Sequence, residues 1–183
     1  MFVAVHLTDE IRARLASVQE RLRRAQADVS WVKPDNLHIT LKFLGEVEPK
    51  RLDRIRTALT EVAQGVAPFS LEVAGMGAFG GRVPRVVWVG AQAGSAQLTE
   101  LARRVEDSLG RVGFPKEKRG FTAHFTLGRV RSPRNVESLL AALREEPAEG
   151  FGAAPVGWFS LMQSELNPSG SIYTELDRFS FGA

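Results

Sequence analysis

The feature that most constrains this chain is a short motif that occurs twice. His38-Ile39-Thr40-Leu41 and His124-Phe125-Thr126-Leu127 share the pattern His-x-Thr-x, and 86 positions separate the two histidines in a chain of 183 residues. The interval from the first apolar residue of the preceding helical segment to the histidine is also similar: 27 positions from Ile11 and 26 from Leu98. This repeat predicts a duplicated fold in which equivalent strands from the two halves meet.

Each motif lies in a segment whose pattern predicts a β-strand. Because successive side chains of a strand point to opposite faces, His38 and Thr40 share one face, as do His124 and Thr126 in the second copy. Two such strands facing each other bring two imidazoles and two hydroxyls to one cleft. Imidazole titrates near pH ~6.5, so one ring can hold a proton while the other lacks one. The pair therefore suits general acid and base catalysis.

The composition is that of an ordinary globular protein, with 44% apolar residues and a formal charge of +3. The length and the lack of a long linker predict a single domain over residues 1–183. The absence of cysteine excludes a disulfide framework and a thiolate zinc site. No segment approaches the ~20 apolar residues that span a bilayer, and the N terminus lacks signal-peptide features, so we expect a cytoplasmic protein with no membrane contact. The basic pI of about 9.7 fits a polyanionic partner, but a biased genomic base composition produces the same arginine excess.

Periodicity and turn residues predict a chain that contains both strands and helices. The predicted strands cover residues 2–7, 29–32, 37–44, 69–74, 85–89, the segment around His124, 156–166 and 172–181. Three predicted helices have apolar stripes over 11–22, 52–62 and 98–109, and a last short helix covers 133–145. The glycine-rich segment 75–81 lacks the spacing of a nucleotide-binding fingerprint and is interpreted as turns and bulges.

The motifs and their flanks resemble the 2H phosphoesterase superfamily, and within it the RNA 2′,3′-cyclic phosphodiesterases once called 2′-5′ RNA ligases. The likeness covers nearly the whole chain. It includes the segment 31–47, the Gly128-Arg129 pair after the second motif, and Tyr173. One departure is Ala123, at a position where relatives often have proline.

The resemblance implies an α+β fold of two lobes related by a pseudo-twofold axis, each an antiparallel sheet backed by helices, with the active cleft between them. It implies hydrolysis of RNA 2′,3′-cyclic phosphate ends, or of small cyclic nucleotides, to 2′-phosphates without a metal or cofactor. It also implies that His38 is the proton donor and His124 the proton acceptor.

The reaction further requires groups that bind the phosphate oxygens. The hydroxyls of Thr40 and Thr126 are the first candidates. For the cation, strict alternation turns Lys42 towards the cleft and Arg129 away from it, whereas the resemblance favours Arg129. A bulge at Gly128 would turn the side chain of Arg129 towards the cleft.

Aromatic residues are weaker candidates for substrate binding. Tyr173 is a candidate for stacking a base, and Phe43 a lesser one, since a single aromatic residue in a strand more often belongs to the core. His6, the third histidine, is assigned a structural role.

Other interpretations of the same residues remain open. Metal binding by His38 and His124 is disfavoured because no His, Asp or Glu occupies the two-step positions within either motif. The same site could join RNA ends by 2′-5′ ligation, the reverse reaction, or the chain could be a non-catalytic RNA-binding module. The lack of a long exposed apolar stripe predicts a monomer.

Overall fold

The strands and helices follow the predicted order over most of the chain. A computed structural model describes residues 1–81, 83–146, 150–168 and 170–182; residues 82, 147–149, 169 and 183 of the predicted domain 1–183 lie outside the described residues. The α-helices and β-strands, numbered in chain order, are β1 (Phe2–His6), α1 (Asp9–Arg23), β2 (Val29–Trp31), β3 (His38–Phe43), α2 (Leu52–Gln64), β4 (Phe69–Gly80), β5 (Pro84–Ala91), α3 (Ser95–Arg111), β6 (His124–Val130), α4 (Val136–Glu145), β7 (Gly152–Val156), β8 (Trp158–Asn167) and β9 (Gly170–Ser180).

Two strand predictions are wrong in detail. The segment predicted as one strand over 156–166 is divided at Gly157, because β7 pairs with β4 in one sheet and β8 pairs with β1 in the other. The glycine-rich segment continues β4 to Gly80 instead of forming a turn at once. The predicted bulge is confirmed, since the register of β4 shifts between Val73 and Met76, where Gly75 has a φ of +75°.

The strands form two antiparallel sheets, as predicted. Sheet A has the order β3-β1-β8-β9, and sheet B has the order β2-β6-β5-β4-β7. Each sheet contains one motif strand, β3 in sheet A and β6 in sheet B. The predicted α+β, two-lobed architecture is therefore confirmed.

Helices cross between the two halves. Helix α1 follows β1 of sheet A but contacts β7 of sheet B, and α3 follows β5 of sheet B but contacts β3 of sheet A. The buried side chain of Gln19 on α1 donates hydrogen bonds of 2.8 Å to the carbonyl oxygens of Val32 and Leu127. The main apolar core includes residues of both sheets. None of the helices among the described residues has the length and apolar character needed to cross a membrane.

Both motif strands contain one extra residue directly after the motif threonine. The pairing of β3 with β1 skips Leu41, and the pairing of β6 with β5 skips Leu127. A bulge of this kind shifts the alternation of side chains by one position. It turns Lys42 towards the core and Arg129 towards the motif face, the reverse of what strict alternation predicts.

Candidate active site

The register of the strands places the four motif side chains as predicted. In sheet A, His38 is paired with His6, and Thr40 with Ala4. Ile39, between the two polar residues, is fully buried on the opposite face. Strands β3 and β6 contact each other, and His124 is close enough for its charge to lower the pKa of His38, so the two motif histidines lie near each other.

Hydrogen bonds to the backbone orient both imidazole rings in the same way. The Nδ1 of His38 lies 2.7 Å from the carbonyl oxygen of Asn36, and the Nδ1 of His124 lies 2.8 Å from that of Thr122. Because a carbonyl oxygen only accepts, Nδ1 carries the hydrogen in each ring, and Nε2 keeps its lone pair in the neutral form. The Nε2 of His38 lies 3.0 Å from the Oγ1 of Thr40. Each motif therefore supplies one Nε2 for proton transfer.

The surroundings of His38 are aromatic. Its ring stacks on Phe2 with centroids 4.8 Å apart, and the edge of Tyr173 approaches with centroids 5.4 Å apart. Burial is the main cause that lowers the pKa of His38 to about 4, and the charges of His6 and His124 also lower it. The hydrogen bond to the backbone of Asn36 acts in the opposite direction. The free protein therefore holds His38 as a neutral ring at pH 7.

The surroundings of His124 differ although the motif is the same. The residue paired with it on β5 is Gly90, so no side chain stands beside the ring where His6 stands beside His38. Its aromatic neighbour is Phe79, which approaches edge-on at 4.9 Å and itself stacks on Trp88 at 5.0 Å. The two copies thus offer equivalent nitrogens in unequal environments.

The expectation that Lys42 faces the cleft is wrong. Its side chain is 1% exposed, and its Nζ donates hydrogen bonds of 2.8 Å to the Oε1 of Glu106 and to the carbonyl oxygen of Pro115. The bulge at Leu41 is the reason, because it places Lys42 opposite Val3 on the core face. Lys42 therefore ties β3 to α3 and to the segment that leads to β6.

Arg129 takes the orientation that the resemblance favours. On β5, Arg129 pairs with Val86 and Thr126 pairs with Trp88. Val86 and Trp88 are two positions apart and so share a face, which places Arg129 on the motif face with Thr126. The side chain of Arg129 is exposed there. The unpaired residue of the bulge is Leu127, one position before the predicted Gly128. Gly128 makes close strand contact possible, since a Cβ there would lie 2.5 Å from the Cγ1 of Val29 on β2.

The two aromatic candidates also lie on the motif face of sheet A. Tyr173 reaches His38 directly, as described above. Phe43 pairs with Phe2, and their rings are 6.2 Å apart. Its side chain is 59% exposed, so the interpretation of Phe43 as a core residue is wrong.

Sequence reasoning missed three residues that surround the motif histidines: Phe2, His6 and Phe79. Phe2 and His6 lie on one face of β1, together with Ala4, as the period of two in the sequence indicates. Their approach to His38 depends on the pairing of β1 with β3. Across the described residues, no three His, Cys, Asp or Glu side chains converge as a set of metal ligands.

Two contacting antiparallel sheets, each carrying a His-x-Thr strand whose imidazole Nδ1 is bound to a backbone carbonyl, define the class of paired-histidine phosphoesterases. Comparison with family models agrees. The LigT-like phosphoesterase model matches residues 5–88 and, a second time, residues 89–173. The chain belongs to this family, and the resemblance to the 2H phosphoesterases is confirmed.

Individual relatives match over nearly their full length. An RNA 2′,3′-cyclic phosphodiesterase of Archaeoglobus fulgidus is 41% identical over 180 residues, which is 98% of each chain. The crystal structure of TT0787 of Thermus thermophilus superposes with a TM-score of 0.82 at 30% identity, covering 98% of this chain and 96% of the other. E. coli LigT, solved in complex with 3′-AMP, superposes with a TM-score of 0.79 at 27% identity and the same coverage.

Proposed function

We propose that this protein hydrolyses RNA 2′,3′-cyclic phosphate ends, or nucleoside 2′,3′-cyclic phosphates, to 2′-phosphates by paired histidine acid and base catalysis without a metal or cofactor. The observation that carries the proposal is the equivalent orientation of the two rings, with Nδ1 of each bound to a backbone carbonyl 2.7 or 2.8 Å away. The name of the Archaeoglobus fulgidus relative and the binding of 3′-AMP by E. coli LigT support it.

In the proposed reaction, the Nε2 of His124 removes a proton from water as the water oxygen attacks phosphorus. The bond from phosphorus to the ribose 3′-oxygen breaks, and the Nε2 of His38 donates a proton to that oxygen. The products are a 2′-phosphate and a free 3′-hydroxyl. The hydroxyls of Thr40 and Thr126 and the guanidinium of Arg129 bind the non-bridging oxygens, on which negative charge builds up.

The role of His38 as donor requires that substrate binding protonate it. With a pKa of about 4, protonating this ring at pH 7 costs about 4 kcal/mol. A phosphate charge about 4 Å from the ring contributes about 4 kcal/mol at the effective dielectric of a site near the protein surface. The bound anion is thus sufficient to offset the cost, and the donor becomes charged only when substrate is present.

The test is hydrolysis of a nucleoside 2′,3′-cyclic phosphate in the presence of a chelator, with identification of the monophosphate. We expect 2′-phosphate from the unaltered protein and a decrease of about 10²–10⁴-fold in kcat for His38→Ala and for His124→Ala. Circular dichroism of each variant controls for folding. RNA retention without turnover would favour the RNA-binding module, and loss of activity in chelator that added metal restores would contradict the proposal.

The assignment of roles has its own test. Bis(p-nitrophenyl) phosphate has a leaving group that needs no proton, so we expect His38→Ala to retain activity on it and His124→Ala to lose activity. The opposite result would exchange the roles. Ligation is expected only when RNA 5′-hydroxyl ends replace water, and product analysis with such ends measures it.

We also propose that the protein acts on RNA in the cytoplasm as a monomer. Analytical ultracentrifugation of the purified protein, compared with its mass of 20.1 kDa, tests the second part. Fluorescence microscopy of a tagged chain in its native cell tests the first.

A further inference from the structure

A second arginine lies beside Arg129 at the end of the motif strand of sheet B. Arg129 belongs to β6 and is the residue proposed to bind the cyclic phosphate, and Arg131 follows it two positions later, directly after the end of β6. Both side chains are exposed to solvent. Arg131 has no part in the proposed reaction.

Arg131 shares the motif face with Arg129. Ser30 on β2 is the direct cross-strand partner of Arg129, so the side chains of these two residues point to the same face. The Nη2 of Arg131 donates a hydrogen bond of 2.9 Å to the Oγ of Ser30. This bond holds the guanidinium of Arg131 beside Arg129, on the face that also bears His124 and Thr126.

No carboxylate neutralises this pair of arginines. The ion pairs among the described residues include neither Arg129 nor Arg131. The carbonyl oxygen of Asp28 accepts a hydrogen bond of 2.8 Å from the backbone N–H of Arg131, but the carboxylate of Asp28 belongs to none of those ion pairs. Two like charges on one surface repel each other, and a bound anion removes this repulsion.

The strands around the two arginines are also free of acidic residues. Residues 118–136, which include β6, contain five lysines and arginines and no Asp or Glu. Residues 73–99, which include β5 and most of β4, contain no Asp or Glu either. On sheet A, in contrast, Glu175 and Asp177 of β9 form ion pairs with arginines. A chain of phosphates is therefore attracted to sheet B more than to sheet A.

The spacing of the two arginines fits two successive phosphates. Residues two positions apart on a strand are about 6.6 Å apart, which is close to the separation of neighbouring phosphates along a nucleic-acid strand. Ser30 engages one N–H of Arg131, and the other N–H groups of the guanidinium can donate to phosphate oxygens. If Arg129 binds one phosphate, Arg131 lies where the next phosphate of the chain passes.

We propose that Arg131, held by Ser30, binds the internucleotide phosphate next to the cyclic phosphate, so that the protein prefers RNA ends to free nucleoside cyclic phosphates. The RNA chain then leaves the cleft past the end of β6. This inference rests on the proposed function for the placement of the cyclic phosphate at Arg129.

The experiment compares two dinucleotides that end in a 2′,3′-cyclic phosphate. One has the natural, charged internucleotide phosphate, and the other has a neutral methylphosphonate at the same place. Each protein is scored by the ratio of its kcat/KM for the charged and the neutral dinucleotide, so a change common to both substrates cancels. The variant is Arg131→Gln, which keeps a donor for Ser30 but removes the charge. The control is Arg103→Gln, which removes an exposed arginine of α3 that pairs with carboxylates.

We expect the unaltered protein and Arg103→Gln to prefer the charged dinucleotide by about tenfold, the lower end of what a charged hydrogen bond contributes. In Arg131→Gln the ratio should fall to about twofold, the part left to the general positive potential of sheet B. Equal kcat/KM for the two dinucleotides in the unaltered protein, or the same preference persisting in Arg131→Gln, would overturn the inference. An equal decrease of the ratio in Arg103→Gln would also overturn it, because the effect would then follow the net charge of the protein.

A failure of the proposed function remains distinguishable. Calorimetric titration with the charged and the neutral dinucleotide carrying a terminal 2′-phosphate measures the same preference without turnover. Absence of hydrolysis, together with tighter binding of the charged dinucleotide that Arg131→Gln abolishes, would reject the proposed function and keep the second phosphate site. An equal Kd for the two dinucleotides would reject the second phosphate site whether or not the protein hydrolyses cyclic phosphates.

Discussion

Replacing Lys42 with methionine tests whether this residue belongs to the core or to the cleft. The Nζ is buried and makes two hydrogen bonds of 2.8 Å, one of them to the carboxylate of Glu106. Methionine fills the space of the aliphatic stem but leaves the carboxylate, itself 19% exposed, without its partner. Breaking a buried ion pair in this way costs about 3–5 kcal/mol, and the partial exposure of Glu106 favours the lower value.

The assay is urea unfolding at pH 7 followed by tryptophan fluorescence. We expect Lys42→Met to lower the free energy of unfolding by about 3 kcal/mol. The double variant Lys42→Met with Glu106→Gln removes the unpaired charge, while the glutamine oxygen still accepts from the backbone N–H of Glu117, so it should recover part of the loss. The matched control Arg103→Met breaks an exposed pair and should change the free energy of unfolding much less than Lys42→Met does.

The result that refutes this reasoning is a stability change in Lys42→Met as small as that of the control, accompanied by a loss of turnover. Such a result would return Lys42 to the cleft, where strict alternation of the strand places it.

Four further predictions concern the site and the fold. As the pH falls, His38 takes up a proton near pH 6.5 in the unfolded chain but only near pH 4 in the folded chain. The free energy of unfolding should therefore decrease by about 3 kcal/mol over this interval. Parallel curves of unfolding free energy against pH for the unaltered protein and His38→Gln would contradict this prediction. Gly128→Ala should lower the free energy of unfolding by about 1–3 kcal/mol, because its Cβ would overlap Val29 on β2, and an unchanged urea midpoint would argue against that contact. Arg129→Ala should lower kcat/KM for a cyclic nucleotide by about 10–100-fold, because it removes a charged hydrogen bond to the phosphate. An equal decrease in the control Arg103→Ala would show that the effect is not specific to Arg129. The single domain over residues 1–183 predicts that fluorescence and circular dichroism give one superimposable unfolding curve, and two separated transitions would disprove it.

The sequence predicts the motif faces because their signal is local. A period of two over His38 to Thr40 and over His124 to Thr126 is sufficient to place each imidazole with its hydroxyl. The prediction fails directly after the threonines, at Lys42, because a bulge is a property of the strand pair. It depends on which residue of the neighbouring strand is skipped, and a single strand does not contain that information.

Pairing between distant segments limits the rest of the prediction. The neighbours Phe2 and His6 cannot be assigned from the sequence, because the pairing of β1 with β3 brings together residues more than thirty positions apart. The division at Gly157 is hidden for the same reason, since the chain changes sheets there without a change in apolar pattern. Burial follows from these pairings, so the low pKa of His38 could not be predicted from the motif itself.

The duplication explains the geometry of the site, and the strands beside the motifs explain its asymmetry. A twofold repeat alone would give two identical rings, and identical rings have no reason to differ in their affinity for a proton. The neighbouring strands break this equality: β1 places Phe2 and His6 around His38, whereas β5 offers Gly90 at the position beside His124. The proposed distinction between donor and acceptor therefore arises from the strands around each motif, β1 and β9 at His38 and β4 and β5 at His124. Exchanging side chains there, as in His6→Gly, should change the pH dependence of catalysis while both motifs stay intact.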